Sequence, residues 1–179
     1  MEFGPNDTDR VAATTKHWPV ASHAHDVADP SDVERLLAGN RYIVLGTADV
    51  LGNPWTTPVF FAMLDRSTVC WVSSQQSRHS LNIANRPAIA FTAFDSTVEV
   101  GHGEAAYVDA DARLASQVEA EAALRALNSR LPAHKHLTGT DLQPVGPLSV
   151  YVAEVRRRYL LVRGGNAKLG NELDVTVEV

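Results

Sequence analysis

The amino-acid sequence predicts a mainly β protein, an antiparallel split β-barrel of six to seven strands with flanking helices. Three observations lead there. About seven short apolar or alternating runs are separated by turn residues. Strand follows strand directly between residues 41 and 73, which favours antiparallel pairing over a doubly wound sheet. Only two or three helical segments interrupt the strands, and a small closed or split barrel accommodates that pattern economically. At 179 residues with 45% hydrophobic content, the chain is the size of one such domain.

Residues 1–28 carry scattered Pro, Asp, Thr and His without periodicity and are read as an N-terminal extension, partly disordered. The barrel domain is expected over 29–163. A helix starts near Pro30, where Ser31 and Glu34 have capping-box spacing, Val33, Leu36 and Leu37 share a face, and Gly39 supplies the stop. Tyr42 to Thr47 reads as a buried strand, Asp49 to Pro54 as a turn, Trp55 to Leu64 as a second strand. Asp65-Arg66-Ser67 makes a tight turn into a third strand, Thr68 to Ser73. Ser74 to Asn85 reads as a short helix ended by Pro87. Ala88 to Phe94 and Val98 to Val108 are two further strands.

Asp109 to Leu131 shows the strongest helical spacing, through Leu114, Val118, Leu124, Leu127 and Leu131. A His-, Thr-, Gly- and Pro-rich loop follows over 132–147. Leu148 to Val155 and Tyr159 to Val162 close the pattern as a hairpin, and 164–179 is read as a C-terminal tail.

Composition narrows the function classes. Sixteen Lys+Arg against 21 Asp+Glu give a net charge of −5, which argues against a nucleic-acid partner. No apolar run approaches the roughly 18 residues that span a bilayer, so no membrane partner is expected. The opening residues lead into no apolar stretch and Cys70 is the single cysteine, a combination that fits a cytoplasmic location. Thirteen of the sixteen cations are arginines, so an anion site here rests on Arg, His, hydroxyls and backbone N–H groups.

The standard phosphate-loop, dinucleotide, nucleophile-elbow and zinc-protease motifs are absent. Gly101-His102-Gly103 lies in a strand pattern and reads as a bulge. His23, His25, His134 and His136 lack Cys or carboxylates at ligand spacing, so they are read as solvated loop residues and no metal is expected. Cys70, between Val69 and Trp71, reads as a small buried hydrophobe.

The run Trp71-Val72-Ser73-Ser74-Gln75-Gln76-Ser77-Arg78-His79-Ser80-Leu81-Asn82 stands apart. It leads from a buried strand into a helix start and offers four hydroxyls, one Arg and one His. Free N–H groups and the helix dipole attract negative charge, and Arg binds a phosphate bidentately. The segment suits a phosphate monoester; the alternative is that Ser77 caps the helix while Arg78 and His79 face water.

With these residues in place, the stretch from Arg41 to about Val108 resembles the pyridoxamine 5′-phosphate oxidase-like FMN-binding split-barrel superfamily. The matching pieces are Gly46-Thr47-Ala48, the run Gly52 to Phe60, and Val72 to His79. Asn82, Asn85-Arg86-Pro87, Ile89 to Phe94 and Gly103-Glu104-Ala105 continue the match. The resemblance implies a homodimer with FMN in grooves at the subunit interface. It implies Ser73, Ser77, Arg78 and His79 around the flavin phosphate with Ser74 close by. Thr57, Pro58 and Val59 would border the isoalloxazine, and the partner subunit would contribute from its Val98–Gly101 region.

The implied activity is a flavin-dependent oxidoreductase acting on a small organic substrate, with no catalytic acid or base assigned. The deazaflavin F420 is the alternative cofactor, and a non-catalytic flavin- or haem-binding module the alternative role. Two cations of the vitamin B6 oxidase are replaced here by Thr57 and Ala62, and a third by His79. The last strand offers Arg156-Arg157-Arg158-Tyr159 without the oxidase's Arg-x-His motif. The resemblance therefore implies the scaffold and the flavin site rather than pyridoxamine phosphate oxidation itself.

Overall fold

A computed structural model describes residues 27–144 and 146–179. Most of the expected N-terminal extension, with His23 and His25, lies outside the described residues. The helices are α1 (Pro30–Gly39), α2 (Arg78–Asn85) and α3 (Gln117–Ser129). The strands are β1 (Tyr42–Ala48), β2 (Pro54–Met63), β3 (Thr68–Ser73), β4 (Ala88–Phe94), β5 (Ala105–Leu114), β6 (Ser149–Val162) and β7 (Val175–Glu178).

All pairings between these strands are antiparallel, in the order β3-β2-β1-β4-β5-β6-β7, and a β3–β6 pairing closes the first six into a barrel. Alternation builds the interior. Ile43 and Leu45, Val59 and Phe61, Phe91 and Ala93, and Ala106, Val108, Ala110 and Ala112 point one way into a single cluster. Val33, Leu36 and Leu37 of α1 and Ile83 of α2 complete it. A second cluster lies on the outer face of β2, β3 and β6, where Ala62, Cys70, Val150 and Val152 pack beneath Ala123 and Leu127 of α3. Burial pushes the Cys70 thiol up to about 12, so it stays protonated.

Two turns show why the first strands begin and end where they do. Asp49 Oδ1 accepts the N–H groups of Leu51 and Asn53, both at 2.9 Å, and Gly52 takes φ 87° between them. Asp65 Oδ1 likewise accepts Ser67 N at 2.7 Å. The cap of α1 differs from the spacing-based expectation: Asp29 accepts Ser31 N at 2.8 Å and Pro30 occupies the first turn.

The second half of the barrel departs further from expectation. Residues 109–114 continue β5 instead of opening a helix, and α3 starts only after Ser116, whose capping box with Glu119 is complete. Gly101-His102-Gly103 falls in the loop before β5, where Gly101 has φ 97°. The expected final hairpin is one 14-residue strand, β6. Its register against β5 shifts between Asp109 and Ala110, leaving Arg156 as the extra residue. That extra residue reverses the alternation. Tyr151 and Ala153 face the interior before it, and Leu160 and Val162 after it. Arg156 and Arg157 turn outward and pair with Asp111 and Asp109.

One edge of β6 pairs first with β3, over 149–154, and then with β7, over 159–162. The segment read as a tail thus carries a strand, and its Val177 is 1% exposed inside the main cluster. Arg130, just past α3, lies 4.7 Å over the Phe61 ring and donates to the carbonyls of Phe61 and Asn40, fastening α3 to β2 and to the end of α1.

If β7 belongs to the core, Val177→Asp loses a buried side chain and buries a carboxylate, a combined cost of roughly 2–4 kcal/mol. Urea unfolding of the full chain should show that loss. A change within a few tenths of a kcal/mol would mark residues 164–179 as a loose tail after all.

Candidate functional site

Strand β2 pairs with β1 from Pro54 to Phe60 but meets β3 only at Phe61–Met63. The two strands therefore part beyond Phe61, and one edge of residues 54–60 is left without a strand partner. Helix α2 packs beside this opening against β1 and β2. Asn82, buried on its inner face, donates from Nδ2 to Thr47 Oγ1 at 2.9 Å, and Thr47 Oγ1 donates to the Trp55 carbonyl at 3.4 Å. One polar chain thus fixes the helix to β1 and β1 to the open stretch of β2.

The eight residues expected to bind a cofactor collect around this opening. Thr57 and Pro58 are half-buried and exposed on the open stretch of β2, whereas Val59 is buried in the core and presents only its backbone. Ser73 ends β3. Ser74 begins the turn, where its hydroxyl accepts Gln76 N at 3.2 Å and its carbonyl accepts Ser77 N at 3.1 Å. Ser77 is the N-cap of α2, yet its hydroxyl makes no cap hydrogen bond, and the first turn of the helix holds no acidic residue. The N-terminal N–H groups of α2 are thus uncapped by any side chain, and the helix dipole there is unopposed.

Arg78 and His79 behave oppositely. The exposed Arg78 guanidinium lies 4.5 Å over the ring of Trp55, so a cation is parked at the rim of the opening. His79 turns inward and is 8% exposed. Its Nε2 is 2.8 Å from Ser73 Oγ and 3.1 Å from Ser77 Oγ. Burial lowers its pKa below the ordinary 6.5, so the ring is neutral at pH 7. The permanent positive charge of this segment therefore comes from Arg78, with Ser74 and the helix N–H groups as neutral donors.

Two residues outside the expected set belong here: Trp55, which orients Arg78, and Asn82, which orients the helix. Both fall within the matched sequence pieces, and their roles depend on contacts between β2, β1 and α2 that spacing along the chain does not show. Ala62, the second position at which the resemblance implies a lost cation, is buried beneath α3 beside Cys70. His134 and His136 sit exposed in the loop after α3, and among the described residues no cluster of His, Cys, Asp and Glu is placed to hold a metal. Also among the described residues, no helix is long and apolar enough to cross a membrane.

Against known proteins, the family model described as pyridoxamine 5'-phosphate oxidase matches residues 30–160. Among curated proteins none matches the chain. Similar solved structures include a haem-binding protein from Mycobacterium smegmatis, with TM-score 0.63 and 19% identity; the match covers 84% of this chain and 58% of that one. This chain thus spans little more than half the length of that neighbour. The haem storage protein HutZ from Vibrio cholerae gives TM-score 0.56 and 14% identity over 70% of this chain and 89% of its own. An F420 reductase gives 0.53 and 18% identity over 70% and 94%. At these identities the likeness is one of fold.

The buried neutral His79 carries a pH signature. Its pKa is lower folded than unfolded, so below about 6.5 the unfolded chain binds the extra proton and stability falls with falling pH. Above that value the effect is absent. His79→Gln should lose less stability than the wild type between pH 7.5 and 5 in urea unfolding. Parallel losses in both proteins would show that the imidazole is not desolvated.

Proposed function

The chain belongs to the pyridoxamine 5'-phosphate oxidase family, and from that premise we propose that it is an FMN-binding oxidoreductase acting on a small organic substrate. The observation that carries this reading is the uncapped start of α2, with Arg78 poised over Trp55 beside the open stretch of β2. The donor set fits a phosphate monoester: N–H groups at a helix start, a guanidinium able to bind two oxygens, and the Ser74 hydroxyl.

Arg78 would leave the Trp55 ring, or slide along it, to bind the phosphate. Thr57, Pro58 and the backbone at Val59 would border the flavin ring along the open strand. Bound there, FMN would supply the hydride chemistry, and the protein's part is binding, orientation and exclusion of water. No side chain at the opening is needed as an acid or base for hydride transfer, and none is assigned.

A second copy of the chain would complete the site. Thr56, Pro58, Ala88 and Ala90 are exposed and small, and a second copy would pack against them. The partner's Val98–Gly101 loop would close the groove.

One observation favours a second reading. Residues 73–80 contain one permanent cation, Arg78, and positions 57 and 62 add none. A monoester carries about −1.5 to −2 charge at pH 7, whereas F420 carries less at its phosphodiester and places its remaining charge on a carboxylate tail that would need basic contacts elsewhere. A solved F420 reductase shares the fold. The haem proteins that share it keep a non-catalytic, haem-holding role in view, although His79 is turned inward, with its Nε2 engaged by Ser73 and Ser77.

Titration of the purified protein with FMN, riboflavin, F420 and haem separates these readings. FMN should bind more tightly than riboflavin. Arg78→Ala should weaken FMN by about 10- to 100-fold, the equivalent of a charged hydrogen bond, and leave riboflavin nearly unchanged. Equal losses for both flavins, or binding of haem alone, would refute the proposal.

A further inference from the structure

The N-cap serine of α2 is diverted from its ordinary task. A serine at this position normally turns its hydroxyl oxygen toward the N–H two or three residues ahead. Ser77 instead donates that hydroxyl to Ser80 Oγ at 2.8 Å, and its oxygen lies 3.1 Å from His79 Nε2. Because the single Ser77 proton goes to Ser80, the contact with the ring requires a proton on Nε2. The same nitrogen is 2.8 Å from Ser73 Oγ at the end of β3. One imidazole N–H therefore staples together the two ends of the turn over residues 74–76.

We infer that His79 is a positioning residue that keeps Ser77 from capping α2, and so leaves the first-turn N–H groups open to the oxygens of an anion. The inference rests on the reading that this turn receives a flavin phosphate. The ring is well held for the task. It is buried together with Ser73, Ser80 and Asn82, and the Asn82 bond to Thr47 prevents α2 from sliding to release it. The charged group next to it in sequence, Arg78, points out to Trp55, so no charge from its own helix competes for the imidazole. Burial keeps the ring neutral, which suits a group whose role is to donate one hydrogen bond without attracting the ligand itself.

In this arrangement a hydroxyl that would satisfy the helix is turned inward. An uncapped helix start is less stable than a capped one, so His79 trades local stability for first-turn N–H groups that an anion can reach. The two serines that the resemblance places around the phosphate act through the histidine, as parts of the staple.

The test compares FMN with riboflavin on the full chain, since their affinity ratio isolates the phosphate. His79→Leu releases Ser77 to cap α2, and the ratio should fall by about tenfold. Adding Ser77→Ala in that background removes the competing cap and should restore most of the ratio, a rescue that loss of packing alone would not give. His79→Gln keeps an N–H donor and should stay near the wild-type ratio. Imidazole 15N spectra of the wild type, which need no variant, should show the Nε2–H tautomer.

An Nδ1–H tautomer, or a double variant no better than His79→Leu, overturns the inference while the flavin reading stands. A wild type that binds FMN no better than riboflavin overturns the phosphate reading and this inference with it.

Discussion

The site depends on one parting of strands. β2 stays with β1 across seven residue pairs but with β3 across only three. A closed barrel cannot leave that gap empty, because unpaired backbone and apolar interior would meet water. Helix α2 packs at the gap, contributing Ile83 to the core and Asn82 to the Thr47–Trp55 chain. Its N-terminus is thereby carried to the end of β3, at the rim of the opening. The uncapped helix start and the open strand edge are products of the same topological fact.

The remainder of the barrel makes that parting tolerable. β6 closes the ring against β3 and, past the bulge at Arg156, takes on β7 along the same edge. A strand that long would otherwise turn one half of its apolar face to solvent. One inserted residue corrects the alternation, and the outward arginines find Asp109 and Asp111 on β5. Most of the basic run is thus a matter of pairing on the outer wall. The single arginine that matters for the proposed ligand is Arg78, held over an aromatic ring instead of a carboxylate.

Much of this was legible in the residues, and the failures have physical causes. α1 follows from the shared face of Val33, Leu36 and Leu37, and β1 to β4 from short apolar runs between punctuating turns. The second half of β5 was obscured because its inward positions there are Ala110 and Ala112, small residues that also favour helices. The helical spacing from Leu114 through Val118 proved coincidental: both are exposed, and only Ala123 and Leu127 of α3 are buried. Arg156 to Arg158 resembled a turn because charge interrupts the apolar pattern at a bulge just as it does at a hairpin. β7 is four residues long, too short for periodicity to register. At the site, the phosphate-suited composition was visible, but the direction in which each side chain turns was not. The inward rotation of His79 depends on Ser73, six residues away, and the Arg78–Trp55 contact bridges two elements.

The family barrel, the uncapped helix start, the rim arginine and the neutral, inward-turned histidine together support our proposal that a phosphorylated flavin is held by backbone donors more than by accumulated charge. Amide 15N–1H shifts of the isotopically labelled protein, titrated with FMN and with riboflavin, test this most directly. FMN should move the amides of Arg78, His79 and Ser80 well beyond the shifts riboflavin causes, while both flavins perturb the stretch from Trp55 to Val59. Identical shifts at residues 78–80 for the two ligands would contradict the account.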